Sequence, residues 1–246
     1  MLAEERRRLI SEQLAREGTV LVKDLSAKYS VTDDSIRKDL DALQKKGILR
    51  KTYGGAVKTR EIAHELLISQ RLAINPEGKR VMAQKAIKLI SDGDFIFLDN
   101  STSNIELAKM ITELDLKVVV ATNMIAAMLE LAKNGSFKLL FIGGELSRTL
   151  DGFVGTATCQ ELSLYRFDSA FLGAAGVDLE DGSVFTFMPD DGATKRTAIN
   201  SAIKPYLMLE SRKLSADGNY RYAKLDEFTA AISDGPKPKG MEGQWI

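Results

Sequence analysis

The sequence predicts an α/β protein in two parts: a small basic unit at the N-terminus, and a larger unit built on a mostly parallel sheet. Three observations predict it. Residues 1–60 carry short amphipathic helical stretches that end in two brief apolar and basic strands. From Lys79 onward, strand-length apolar runs alternate with helical runs, the pattern of a parallel sheet covered by helices. Charge divides the same way: residues 1–60 hold 14 Lys/Arg against 9 Asp/Glu, leaving 20 against 25 for the rest of a chain with 34 of each. A basic front on an acidic body points to a front that meets a polyanion.

The first helix spans residues 2–17, with Leu2, Leu9, Ile10 and Leu14 near helical spacing and Gly18 ending it. An extended stretch at 19–22 leads to a second helix at 23–29, whose apolar contact is Leu25. After the turn Ser30-Val31, Thr32 is the N-cap of a third helix that carries Ile36, Leu40 and Leu43 inward and stops at Gly47. Two helices joined by so few residues have the spacing of a helix-turn-helix. The run Ile48 to Val57, with Gly54-Gly55 at its centre, reads as a hairpin, or wing.

In such a module the start of the third helix faces base edges. Arg37 is the expected base contact, because a guanidinium bonds guanine O6 and N7 together. Ser35, Lys38, Arg50, Lys51 and Thr52 suit phosphate, with Thr32 at the helix start and Tyr53, Gly54 and Gly55 at the wing. Asp33 and Asp34 allow two readings. They favour the positive end of the helix dipole, or one of them accepts from cytosine N4, with Asp34 counted among the DNA-contacting residues.

Residues 59–78 are polar and mixed, a linker and entry segment between a domain at 1–58 and a domain at 79–246. The strands expected in the latter are 95–99, 117–122, 138–142, 169–173, 206–209 and 230–233. Helices are expected near 79–90, 103–112, 124–134, 156–164 and 190–203. Ligands of such sheets bind beyond the carboxyl ends of the strands. Four small, polar loops fall there: Asp99-Asn100-Ser101-Thr102-Ser103-Asn104, Thr122-Asn123, Gly143-Gly144-Glu145 and Gly173-Ala174-Ala175-Gly176. Hydroxyls and free N–H groups at helix starts favour an anion such as phosphate. Arg148, Lys195 and Lys213 are cations for the same anion, and Asp99 is an acceptor for sugar hydroxyls. Such loops also carry Ser, Thr, Asn and Gly for turn and capping reasons alone.

The run from Val22 to Leu40, with Val31-Thr32-Asp33-Asp34-Ser35-Ile36-Arg37-Lys38-Asp39-Leu40 at its centre, resembles the N-terminal signature of DeoR-family transcriptional regulators. So does Gly47-Ile48-Leu49-Arg50-Lys51-Thr52-Tyr53-Gly54-Gly55-Ala56-Val57. The resemblance continues through Gln70-Arg71, Asp92-Gly93-Asp94, Asp99, Thr122-Asn123, Gly143-Gly144 and Lys213, so it covers nearly the whole chain. It implies a winged helix-turn-helix followed by a phosphosugar-isomerase-like sensor domain, binding operator DNA and a phosphorylated sugar or related metabolite as effector. It implies a repressor of carbohydrate genes and a homo-oligomer on paired half-sites. It also places Asp99, Ser101, Thr102, Ser103, Thr122, Asn123, Gly143, Gly144, Lys195 and Lys213 at the pocket. Ser101 and Arg212 are bulkier than the family's usual residues there, which narrows or re-aims that pocket.

Other classes find little support. The longest apolar runs are strand-length, far short of a membrane helix. Residues 1–8 have no apolar region behind their positive charges, so no secretory signal is expected. The single cysteine, Cys159, precludes an internal disulfide and fits a reducing cytosol. With one histidine, His64, no metal centre is expected, and the phosphate and dinucleotide cradles are missing, so no cofactor is expected either. Two rivals remain at this point. One is a phosphosugar isomerase or lyase using Asp99, Asp190, Asp191 or Glu210 as base. The other is an architectural DNA-binding protein with a filled pocket.

Overall fold

The computed structural model describes residues 3–17, 19–45, 48–52, 54–58, 68–133, 135–214, 216, 218–238 and 244–246. Gly18, Gly47, Tyr53 and His64 lie outside that set. The chain divides into two compact units, Met1–Ile62 and Ala63–Ile246.

The first unit runs α1 (Ala3–Glu17), β1 (Thr19–Leu21), α2 (Val22–Tyr29), α3 (Asp33–Lys45), β2 (Leu49–Thr52) and β3 (Gly55–Lys58). Its core is the helical stripes read from the sequence: Ile10 and Leu14 of α1, Leu25 of α2, and Ile36, Leu40 and Leu43 of α3, closed by Val20, Leu49 and Ala56. Thr32 caps α3 as expected, its Oγ1 accepting from the Ser35 N–H at 3.3 Å. Ser30 takes the left-handed conformation (φ 52°) that ends α2, so the turn between the helices closes in three residues. The extended stretch before α2 becomes a third wing strand. β1 pairs antiparallel with β3, giving the order β1-β3-β2. That pairing is so close that a Cβ on Gly55 would strike the Val20 carbonyl oxygen.

The second unit contains α4 (Ile68–Ala73), α5 (Pro76–Ala86), β4 (Phe95–Leu98), α6 (Thr102–Glu113), β5 (Val119–Thr122), α7 (Ile125–Leu131), β6 (Lys138–Phe141), β7 (Glu145–Ser147) and β8 (Gly152–Val154). It continues with α8 (Thr156–Leu162), β9 (Phe167–Gly173), β10 (Gly176–Val177), β11 (Ser183–Thr186), α9 (Pro189–Asn200), β12 (Ala202–Leu209), β13 (Tyr220–Lys224) and β14 (Ala230–Ser233). Six strands form one sheet in the order β14-β12-β9-β4-β5-β6, every neighbouring pair parallel.

Both faces of this sheet are covered, which is why its strands are apolar without polar alternation. In β4, Ile96 and Leu98 face the core formed with α5, α6 and α7, while Phe97 faces the core formed with α8 and α9. Tyr206 and Met208 against Leu207 and Leu209 repeat the division in β12. The strand order runs outward in opposite directions from the β4–β9 pair. The carboxyl ends of this pair are the switch point of the sheet, the place where open α/β sheets take ligands.

Three features were not drawn from the sequence. α4 and the start of α5 occupy the segment read as linker and entry. β7 and β8 form a hairpin where only a loop was drawn, and β10-β11-β13 form a small separate sheet. These strands have two to five residues, too few to show a period. β12 also begins at Ala202 rather than 206, because its exposed Ile203 and Lys204 do not read as core.

Candidate nucleic-acid interface and effector site

In the first unit, α3 presents Thr32, Asp34, Arg37 and Lys38 to solvent, with Ser35 half-buried beside them. Their positions follow from the buried Ile36, Asp39 and Leu40, which fix the inner face of the helix. Arg37 is not free: its Nη1 donates to Asp34 Oδ1 at 3.1 Å. Lys51 likewise bonds Asp41 Oδ1 at 2.6 Å through Nζ and Gln44 Oε1 at 2.9 Å through its backbone N–H. Thr52 and Gly54 are exposed on the wing, Gly55 is buried against β1, and Arg50 pairs with Val57 in the ladder. Tyr53 lies outside the described residues. Exposed ion pairs are worth about 0–1 kcal/mol, so both internal pairs exchange readily for phosphate or base contacts.

In the second unit, the crevice between β4 and β9 is built around Asp99, the residue after β4. Its Oδ1 accepts from the Ser101 N–H at 2.9 Å and from Asn104 Nδ2 at 2.8 Å. Its Oδ2 accepts from the Gly173 N–H at 2.8 Å and from Lys195 Nζ. Lys195 reaches in from α9 and also bonds Asn100 Oδ1 at 3.1 Å. Asn100 in turn donates to Asp191 Oδ1 at 2.9 Å, and Thr186 donates to Asp191 Oδ2 at 2.5 Å. Burial works against the Lys195 charge, but Asp191 and Asp99 outweigh it and hold the ammonium above its ordinary range. Asp99 thus has four donors on two oxygens.

Ser101 sits against Gly173 so tightly that a Cβ on Gly173 would collide with the Ser101 side chain. The extra bulk expected to narrow the pocket is therefore accommodated by the glycine. Thr102 and Ser103 begin α6 beside it. Thr122 and Asn123 serve the frame as well as the rim. Thr122 Oγ1 donates to the Leu98 carbonyl at 2.8 Å, and Asn123 Nδ2 donates to Phe153 O at 2.7 Å. Gly143 is held by Glu161 and Thr158, and Gly144 packs on Thr158. Arg148 is exposed on the β7–β8 turn.

A second cluster gathers past the ends of β12 and β14. Glu210 accepts from Arg212 Nε at 2.8 Å and from Asn75 Nδ2 at 3.1 Å, with Lys213 Nζ 3.3 Å away. Burial raises the Glu210 carboxyl, but the Lys213, Arg212 and Lys79 charges prevail and bring it down to about 2. Arg212, expected to intrude on the pocket, is instead turned onto Glu210. Lys213 donates to the Ala174 carbonyl at 2.8 Å, next to Gly173, which joins this cluster to the crevice. Burial lowers Lys213. It also takes Lys79 to about 8, against the pull of Glu210.

Arg71 of α4 lies electrostatically between the clusters. Burial lowers its pKa, while Asp191, Asp99 and Asp151 act to raise it. Its Nη2 donates to Thr149 O and Leu150 O, both at 3.1 Å. Four buried side-chain polar atoms lack a protein partner among the described residues: Arg71 Nε, Ser101 Oγ, Asn104 Oδ1 and Asn123 Oδ1. Ser101, Asn104 and Asn123 follow the ends of β4 and β5, and Arg71 is tied to the β7–β8 turn. Buried polar atoms are nearly always bonded, so this concentration has the character of a site for a polar ligand.

The structure thus brings Asp99, Asn100, Ser101, Gly173 and Lys195 into direct contact and places Lys213 beside them. Sequence reasoning missed Arg71, Asn75 and Lys79 as site residues. Arg71 enters only within the Gln70-Arg71 stretch of the family resemblance, with no site role, and Lys79 stands in a helical stretch with no motif of its own. The Asn75-Pro76 pair carries only the signal of a helix start, which it fulfils through the Gly78 N–H.

A winged helix-turn-helix ahead of an α/β unit with a polar crevice at its switch point defines a DNA-binding regulator with a sensor. The comparisons agree. Residues 6–61 match the DeoR-like helix-turn-helix domain, and residues 74–235 match the DeoR C terminal sensor domain. The chain belongs to the DeoR family of transcriptional regulators. It is 32% identical to the putative aga operon transcriptional repressor of Escherichia coli O157:H7 over 242 residues, covering 97% of this chain and 89% of that one. It is 30% identical to the lactose phosphotransferase system repressor of Staphylococcus epidermidis over 232 residues, covering 92% and 89%. Among solved structures, ribose 5-phosphate isomerase A from Methanocaldococcus jannaschii aligns with a TM-score of 0.42 and 21% identity over 58% of this chain and 56% of that one. The delta subunit of eIF2B from Chaetomium thermophilum aligns with a TM-score of 0.46 and 17% identity, over 69% and 59%. No helix among the described residues is long and apolar enough to cross a membrane.

Proposed function

We propose that this regulator represses a sugar-utilisation operon in the cytoplasm and that a phosphorylated sugar, bound at the strand ends of its sensor unit, releases it from the operator. The observation that carries this reading is the convergence of four unpartnered buried polar atoms with the cations Arg71, Lys195 and Lys213. Polar atoms without protein partners suit sugar hydroxyls, and the cations with the start of α6 suit phosphate. Asp99, Asn100, Ser101, Thr102, Ser103, Asn123 and Gly173 form the crevice side of the site. Thr122, Gly143 and Gly144 support it, and Arg148 stands at its rim.

Operator binding falls to residues 1–58, through Arg37 at a base and Thr32, Ser35, Lys38, Arg50, Lys51 and Thr52 at phosphates, with Tyr53, Gly54 and Gly55 shaping the wing. The sensor expected at 79–246 then also takes in α4 and the start of α5 from the segment read as linker, since both belong to the second unit, Ala63–Ile246. A homo-oligomer places two such domains on paired half-sites, since operator symmetry mirrors protein symmetry. Effector control requires that the ligand bind the operator-competent and the released state with different affinity. The test is operator titration at fixed salt with a panel of sugar phosphates. One compound weakening operator binding supports the reading, and indifference to all of them removes the effector class.

A further inference from the structure

We propose that Asp34 is a specificity-determining residue: its carboxylate aims Arg37 at a guanine and itself reads an amino-bearing base one step along the same groove. The proposal rests on Arg37 as the base contact. In α3 the N-cap role belongs to Thr32, whose Oγ1 takes the Ser35 N–H and lies 3.0 Å from Ser35 Oγ. Asp34 is therefore not needed as a cap. Its Oδ1 instead accepts from Arg37 Nη1 at 3.1 Å, on a face where Asp34 is 82% and Arg37 57% exposed. The buried Ile36, Leu40 and Asp39 set that face, the last through its bond to Arg6.

An arginine has five N–H donors, and Asp34 uses one of them on Nη1. The Nε/Nη2 edge keeps two parallel N–H groups, which match guanine O6 and N7. A guanidinium already held by a carboxylate loses less side-chain freedom on reaching that base. Residues three apart on a helix are separated by about 4.5 Å along its axis, near the ~3.4 Å step between base pairs. The other Asp34 oxygen, which has no partner among the described residues, thus falls at the neighbouring pair. There a carboxylate accepts from cytosine N4 or adenine N6 and is repelled by guanine O6 or thymine O4. Its charge also opposes every phosphate nearby, so Asp34 costs affinity on all sequences while it sharpens the choice among them.

These opposed effects make the test. Full-length wild type, Asp34→Ala, Asp34→Asn and Arg37→Ala are each used to select duplexes from a randomised pool, and the selected and random duplexes are then titrated at fixed salt. Both positions are exposed, so unfolding should shift by no more than the small contribution of a helix-end charge, and loss of binding by folded protein belongs to recognition. Asp34→Ala should bind random duplex more tightly, yet lose roughly tenfold in its preference for guanine and the preference at the adjacent step. Asp34→Asn, which can donate as well as accept, should admit thymine or guanine at that step. If Asp34→Ala keeps both preferences while Arg37→Ala loses the guanine preference, Asp34 has no reading role and the proposal is overturned. If Arg37→Ala keeps its guanine preference, the assignment of Arg37 fails and the proposal falls with it.

Discussion

Arg6 of α1 donates through Nε to Asp39 of α3 at 2.5 Å, and both side chains are buried. Asp39 is thus tied to α1 from the inner side of the helix whose outer side carries Arg37. Arg7 stands by as a weaker partner, 3.6 Å from the other Asp39 oxygen. Removing one partner of a buried pair leaves a desolvated charge, at a cost of about 3–5 kcal/mol. Arg6→Ala should therefore lower the unfolding stability of the first unit by that order. Denaturant unfolding of the full chain checks it, and a loss under 1 kcal/mol would mean that Arg7 or solvent takes over the carboxylate.

Gly173 and Ser101 make a second such pair, through volume instead of charge. Gly173→Ala should cost about 1–3 kcal/mol by overpacking the crevice. Adding Ser101→Gly removes the colliding atoms and should restore most of the loss. The cycle is measured by thermal unfolding, and additive losses would show that the two side chains do not compete for one space.

Glu210 predicts the acid limb of stability. Its folded pKa is about 2, against an ordinary 4.5. Below pH 4.5 the unfolded carboxyl takes up a proton that the folded one still refuses. Its contribution is therefore complete above that pH and fades as pH falls from 4.5 toward 2. Glu210→Gln should flatten the pH dependence of unfolding in that window, compared between pH 7 and pH 3.5. Parallel losses in both proteins would remove Glu210 as a cause.

Arg71 predicts a separation of functions. Arg71→Ala should leave operator affinity near wild type while raising the effector concentration for half release by on the order of tenfold or more, the usual weight of a bond to a charged group. Fluorescence anisotropy of labelled operator reads both quantities. An unchanged half-release concentration would place Arg71 outside the effector site.

The helices of the first unit and the strands of the large sheet were legible because their apolar stripes repeat over enough residues to show a period. Ile36, Leu40 and Leu43 are one such stripe, and β4 with its flanking loop is another clear signal. What stayed hidden depends on residues far apart in the chain. β1 joins the wing only through its pairing with β3. The β10-β11-β13 sheet gathers two- to five-residue strands from three regions. The sequence assigns Asp99, Lys195 and Gly173 to one pocket, but only folding shows that Asp99 bonds the other two directly across more than 70 positions. Arg71 figures there only as part of the resemblance, with no site role, because an arginine in a polar segment otherwise looks like any solvated charge. The pairing of Arg37 with Asp34 was likewise open, since sequence shows the spacing but not which partner the carboxylate takes.

The central claim is that ligand occupancy at the strand ends controls DNA binding by the first unit. Its most direct measurement is operator affinity of the full-length chain at fixed salt, titrated with a panel of sugar phosphates, for wild type and Lys195→Met. The account predicts that one sugar phosphate weakens wild-type operator binding by about 5–150-fold, the usual range of coupling between sites. It also predicts that Lys195→Met binds operator but no longer responds to that compound. Operator binding that ignores every compound in wild type, or a variant that still responds like wild type, would contradict it.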